Sequence, residues 1–230
     1  EVLGWEGVLE LAARHGEAWP LGAHLRHLGI AEQELERWIV EDAGQLHRGE
    51  IRTSLATSIL CNVSPEQRHL ALDRIVERAR MAEHGSDWLV RLLLLCPHDP
   101  QIWARADSIG ETEHFWSHCI GNLWLDDPAE MEIALRKLVA HRRPVSALKA
   151  CHIKFSGHDP ELVMEMLEGV MKGFELEEAQ VPQSYVFQHA IDYLEETGAI
   201  DEMRLVQLEF ALIRALGFEE EQHAKSLYRV

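Results

Sequence analysis

Four dipeptides, Ser64-Pro65, Asp99-Pro100, Asp127-Pro128 and Asp159-Pro160, constrain what this chain can fold into more than any other feature of it. Each sets a short acceptor side chain before a proline. The acceptor takes a hydrogen bond from an N–H left unpaired at the start of a helix, and a proline at the first helical position has no N–H to leave unpaired. Each dipeptide therefore reads as a helix start, and Glu130, three residues after Asp127, completes a capping box. Gly85, Gly110, Gly157 and Gly198 read as stops, because glycine enters the left-handed conformation that ends helices. The starts lie 35, 28 and 32 residues apart. That interval is the length of a helix pair, and its recurrence marks stacked helical hairpins.

Apolar periodicity agrees with those boundaries. Leu72, Ile75, Val76 and Ala79 share one helical face, as do Met131, Ala134, Leu135 and Leu138. The same spacing recurs in Val186, Phe187, Ala190, Ile191 and Leu194, and again in Leu205, Leu208, Leu212, Ile213 and Leu216. Each stripe is about one face wide and must be buried against a neighbour. The segment Trp88 to Cys96, WLVRLLLLC, is apolar nearly all round and is expected to lie centrally. No pair of alternating runs flanks an Asn-Gly or Asp-Gly turn, so hairpins are not expected. The fold class expected is all-α: ten or eleven helices in antiparallel pairs, stacked as a short HEAT-like α-solenoid in one domain spanning 1–230. All seven tryptophans precede residue 125, which allows a subdivision near that point.

Charge narrows the function. Asp and Glu number 39 against 22 Lys and Arg, a formal net charge of -17, which disfavours nucleic acid and membrane surfaces as partners. The acidity is concentrated late: His158 to Val230 holds 16 acids and five Lys/Arg. The four cysteines, Cys61, Cys96, Cys119 and Cys151, form no Cys-x-x-Cys pair and are expected to be buried, reduced thiols. No stretch reaches the roughly 18 apolar residues of a membrane span, and the N-terminus lacks the regions of a signal peptide. A cytoplasmic location is expected. A chain that starts with Glu1 and stops at Val230 is expected to be part of a longer protein.

Candidate chemistry is sparse. HFWSHC places His114 and His118 about 40° apart on a helical wheel, with Phe115, Trp116 and Cys119 on another face. Two histidines pointing away from the cysteine fall short of the three or four ligands of a zinc site. Glu-x-x-His, which builds di-iron sites when two helices carry it, occurs at Glu66/His69, Glu111/His114 and Glu220/His223. Cys151, His152 and His158 gather near one helix end, where a core thiol beside a dipole-favoured histidine is the simpler reading. Phosphate loops, dinucleotide fingerprints, nucleophile elbows and the His-Glu-x-x-His zinc motif are absent. No catalytic residue and no cofactor are expected, and the alternative is a histidine- and carboxylate-based metal enzyme in a helical bundle.

The cluster of most interest is basic. Ile133 to Lys154 spans 22 residues with six Lys/Arg and no acid. Arg136, Lys137 and Arg143 fall outside the apolar positions of their helices, so the patch they form with Arg142 and Lys149 is expected to be exposed. Pro144 disfavours helix at Arg143, which sets Arg142 and Arg143 at a turn between two helices. The patch reads either as pairing with the acidic neighbouring helices or, functionally, as a docking site for phosphate or for an anionic protein partner, which includes other domains of the same chain. The run HFWSHCIGNLWLDDPAEMEIALRKLVAHRRPVSALKA, 114–150, together with QLEFALIRAL, 207–216, resembles helical segments in the C-terminal parts of large bacterial multidomain proteins. The resemblance implies a helical-repeat sensing or scaffolding region attached to another module. The expected function is therefore a non-catalytic protein-binding, scaffold or sensing domain of a larger bacterial protein.

Overall fold

The computed structural model describes residues 4–16, 18–25, 30–41, 51–81, 86–119, 123, 125, 127–151, 154–173 and 184–216. Among the described residues there are thirteen α-helices and no strand, so the fold is all-α, with more helices than the ten or eleven expected. The chain divides into two compact units, 1–115 and 116–230. Gly85, His152, Glu220 and His223 lie outside the described residues, as do the side chains of Ala79, Ile213 and Leu216.

The first unit holds α1 (Trp5–His15), α2 (Ala18–His24), α3 (Glu32–Glu41), α4 (Ile51–Cys61), α5 (Pro65–Met81), α6 (Ser86–Leu95), α7 (Pro100–Ser108) and the start of α8 (Thr112–His118). Its centre is α4, which packs against α1, α2, α5 and α6. The approach of α2 is close: a Cβ added to Gly22 would stand 2.6 Å from Ser58 Cβ, so only glycine fits. Ser58 is fully buried and satisfies its hydroxyl by donating to the Trp19 carbonyl at 2.6 Å. The helix α6 buries Trp88, Leu89, Val90, Leu92 and Leu93, with Arg91 left exposed beside Asp87, and it packs against α4 and α7.

An ion pair between the buried Glu36 and the exposed Arg74 fixes α3 against α5. Glu36 is 3% exposed. Arg74 Nε lies 2.9 and 3.1 Å from its two oxygens and Nη2 2.6 Å from Oε1. Arg78 Nη2 stands farther off, at 3.9 Å. The side-on contact of a planar guanidinium with a carboxylate offsets the desolvation of Glu36, which nothing apolar around it could do.

In the second unit α9 (Pro128–Ala140), α10 (Pro144–Cys151), α12 (Ser184–Thr197) and α13 (Glu202–Leu216) all pack against α11 (Pro160–Met171). Leu162, Val163, Met164, Met166, Leu167, Gly169 and Val170 are buried, so α11 is apolar nearly all round. Its acidic residues serve its neighbours: Arg204 of α13 donates to Glu168 at 2.9 Å and Glu161 at 2.8 Å.

The four cap–proline pairs open α5, α7, α9 and α11. Asp99 accepts from the N–H groups of Gln101 and Ile102, Asp127 from Ala129, Asp159 from Glu161, and Ser64 Oγ from Gln67. Gly110 and Gly198 follow α7 and α12 with φ of 77° and 58°. Gly157 does not end a helix: α10 stops at Cys151, and Gly157 lies in the turn before α11.

Arg74→Met should lower the stability of the chain by about 1–3 kcal/mol in urea denaturation, because the Glu36 carboxylate stays buried without its guanidinium, less than for a fully enclosed pair since Arg74 is exposed to water. The double change Glu36→Leu with Arg74→Met should recover most of that loss. A single-variant loss below about 1 kcal/mol would show that Glu36 reaches water without Arg74.

Candidate functional site

The basic turn between α9 and α10 is built by three backbone hydrogen bonds. His141 N donates to Lys137 O at 3.0 Å, Arg142 N to Val139 O at 3.0 Å and Arg143 N to Leu138 O at 2.8 Å. The last two form the pattern in which one residue must adopt left-handed backbone, usually a glycine. The end of α7 follows that rule: Gly110 N reaches Asp107 O and Glu111 N reaches Ala106 O, both at 3.0 Å, with Gly110 at φ 77°. At α9 the same place is taken by Arg142, at φ 60°. Gly16, Gly110, Gly157, Gly173 and Gly198 also have positive φ, and Arg142 is the one non-glycine among the described residues that does. Holding a side chain in that conformation costs about 1 kcal/mol.

The five residues of the expected patch meet different fates. Arg136 is exposed and shared between Glu132 and Asp159, each at 2.7 Å. The hydrogen bond that Arg136 donates to Asp159 raises the pKa of Arg136 and lowers that of Asp159. Lys137 and Arg142 are exposed, and Lys149 is partly buried. Arg143 corrects the expectation of exposure. It is only 6% exposed, and its Nε donates to the Cys119 carbonyl at 3.2 Å. The left-handed step at Arg142 turns the following side chain inward. There it meets a carbonyl just beyond the end of α8, where helical carbonyls lack partners within the helix.

The histidine pair is placed as follows. His114 Nε2 lies 3.7 Å from Asp87 Oδ1, and Nδ1 lies 3.5 Å from Glu111 Oε2. His118 is exposed, with Nδ1 at 3.1 Å from Ser117 Oγ. Phe115, Trp116 and Cys119 are buried. Among the described residues, no three His, Cys, Asp or Glu side chains gather as metal ligands.

Sequence reasoning missed a buried polar cluster around His69. The ring is 8% exposed; Nε2 lies 3.1 Å from Asp99 Oδ2 and Nδ1 3.0 Å from Arg105 Nη1. A guanidinium only donates, so Nδ1 accepts and Nε2 carries the proton it gives to Asp99. Arg105 also donates Nη1 to Gln101 O, Nη2 to His69 O, and both Nε and Nη2 to Asp73 Oδ1. Asp99 caps α7 with its other oxygen, Oδ1. Arg68, 7% exposed, sets Nη2 3.7 Å from Asp99 Oδ2, while its buried Nε lacks a hydrogen-bond partner. The Asp99-Pro100 start was legible, but a cap reading assigns one carboxylate oxygen and says nothing of the second.

Burial displaces the titrating groups toward their neutral forms. It pushes the Cys61 thiol up to about 11 and that of Cys151 to about 12, and it also raises Cys96. None of these thiols is activated as a nucleophile. It lowers His98, 1% exposed and packed 5.3 Å from the Phe115 ring, to about 4. It lowers His69 too, with Arg105 and Arg68 adding to the effect and Asp99 opposing it. No family model matches this chain, and neither a curated protein nor a solved structure matches it.

The two buried histidines make stability depend on pH. Each binds its proton less readily when folded, so below the unfolded value of 6.5 the unfolded chain holds more protons. Their contribution is complete above that pH and is lost as pH falls toward about 4. Unfolding free energy measured across that window should decline less steeply in His98→Phe than in the unaltered chain. An equal slope in both would contradict the assignment.

Proposed function

We propose that this chain is a non-catalytic helical-repeat domain of a larger bacterial protein, and that it binds a protein partner at the α9–α10 turn. Lys137 and Arg142 lead the docking edge, Arg136 and Lys149 flank it, and Arg143 holds the turn from within. The observation that carries this reading is the left-handed backbone of Arg142. Glycine relieves that strain at the matching end of α7, so an arginine kept there at a cost in stability argues for a use of its side chain. Arg142 is exposed, on a turn fixed by backbone hydrogen bonds at both neighbouring residues, so its guanidinium starts from a defined base.

Charge supports the same edge. In a chain of net charge -17, an acidic segment of a partner is repelled by most of the surface and attracted by the exposed Lys137 and Arg142 and the half-buried Lys149. Among the described residues, Lys137 and Lys149 form no ion pair, which leaves both ammonium groups for a partner. The HEAT-like stacking of antiparallel pairs into a solenoid belongs to this proposal and is supported by helix starts 35, 28 and 32 residues apart. The cytoplasmic location belongs to it as well, supported by four cysteines in the free form.

A photo-reactive side chain at position 142 of the full-length protein, activated in the producing cell, should yield a discrete cross-linked protein species. The yield should fall as salt is raised in a cell extract, since exposed ion pairs are screened. It should be lost when Lys137→Glu and Lys149→Glu are added. The same side chain at Glu113, exposed in the first unit, should not yield that species. Equal products from both positions, or a product removed by nuclease, would overturn the proposal.

A further inference from the structure

Helix α13 is apolar on two opposite sides. Leu205, Leu208 and Leu212 are buried within the second unit, where α13 packs against α11 and α12. At 100° per residue, Met203, Val206 and Phe210 fall together on the far side of the helix. They are 65%, 46% and 55% exposed. A single exposed apolar side chain needs no account, but three set one turn apart form a stripe that an amphipathic helix otherwise keeps for a neighbour.

The two ends of the stripe carry opposite charges. Glu202 begins α13 and Arg214 lies in its last turn, and both are exposed. Among the described residues, neither forms an ion pair. The Arg214 guanidinium stands 6.0 Å from the centre of the Phe210 ring, so it prolongs the stripe along the same face.

An acid at one end, a cation at the other and an apolar centre make a surface that complements itself when two copies run antiparallel. A twofold axis through the middle of the stripe sets Met203 against the partner's Phe210, and Phe210 against the partner's Met203. Sulfur and ring make a favourable contact there, made twice. The axis also brings the two Val206 side chains together and carries each Arg214 toward the partner's Glu202. Run parallel, the same helices would set like charges side by side, which costs rather than contributes. We propose that α13 is a self-association surface, through which two copies of this chain pair antiparallel over Met203, Val206 and Phe210, with each Arg214 held by the partner's Glu202.

The stripe is short, and that sets the strength. Three side chains per copy cover less than the about 800 Å2 per partner of a standard interface, so the dimer is weak, with a Kd on the order of 100 µM. A net charge of -17 on each copy opposes the approach. Salt at about 0.15 M confines that repulsion to roughly 8 Å. The surface does not involve the basic turn between α9 and α10.

Sedimentation equilibrium of the whole chain, from about 10 to 500 µM in about 0.15 M salt, should show a monomer–dimer equilibrium. Phe210→Ser should weaken the dimer at least about tenfold and leave the thermal unfolding midpoint of the monomer unchanged, because the ring lies outside the core. Glu202→Arg and Arg214→Glu should each weaken it about fivefold, since each breaks both symmetry-related ion pairs. The double variant with both changes should return the Kd to within about twofold of the unaltered chain, a rescue that requires the two positions to meet across an antiparallel pair. A chain that stays monomeric, a dimer indifferent to Phe210→Ser, or a double variant no tighter than the single ones would overturn the proposal.

Discussion

Helices of seven to seventeen residues, as here from α2 and α8 up to α5, have a large share of their length in their ends. Each end leaves up to four N–H or four C=O groups without an intrahelical partner, and an all-α fold of short helices stands or falls on what satisfies them. Asp99, Asp127, Asp159 and Ser64 do so at four starts. Left-handed residues do so at the stops, where the chain reverses and its next N–H groups fold back on the last carbonyls. The caps fix where each helix begins and ends, hence which apolar residues face inward together. Arg142 and Arg143 inherit their opposite exposures from one such stop.

The buried Glu36 and His69 join helices through guanidinium groups. Glu36 with Arg74 ties α3 to α5, and Arg105 with His69 and Asp73 ties α7 to α5. In both, a guanidinium meets several acceptors at once, the arrangement that best offsets the desolvation of a buried partner such as Glu36. Arg68 Nε is the exception in this cluster. The thiols and the buried histidines are shifted by the same cause, removal from water, toward the uncharged forms.

Much of the fold was legible because its signals are local. A cap–proline pair and a stripe such as Met131, Ala134, Leu135 and Leu138 require only neighbours within a few turns. What a helix packs against is not local, so α6 was readable as a buried helix while the central positions of α4 and α11 were not. Ser58 and Gly22 look unremarkable in sequence, and their closeness appears only when α2 lies on α4. The wheel argument failed at Arg143 because that residue lies between helices, where a 100° step no longer predicts direction. The His69 cluster escaped because its three partners come from two helices and a cap, 36 residues apart at the widest hydrogen bond.

The central claim is that Arg142 occupies a glycine's place for the sake of its side chain. Equilibrium unfolding of the whole chain with Arg142→Gly tests it most directly, read beside partner cross-linking from Lys137. The account predicts a gain in stability of about 0.5–1 kcal/mol from relief of the left-handed strain, accompanied by a loss of the cross-linked species. A variant that is less stable than the unaltered chain, or one that captures the partner as well as before, would contradict it: the arginine would then serve the fold, and the binding edge would lie elsewhere.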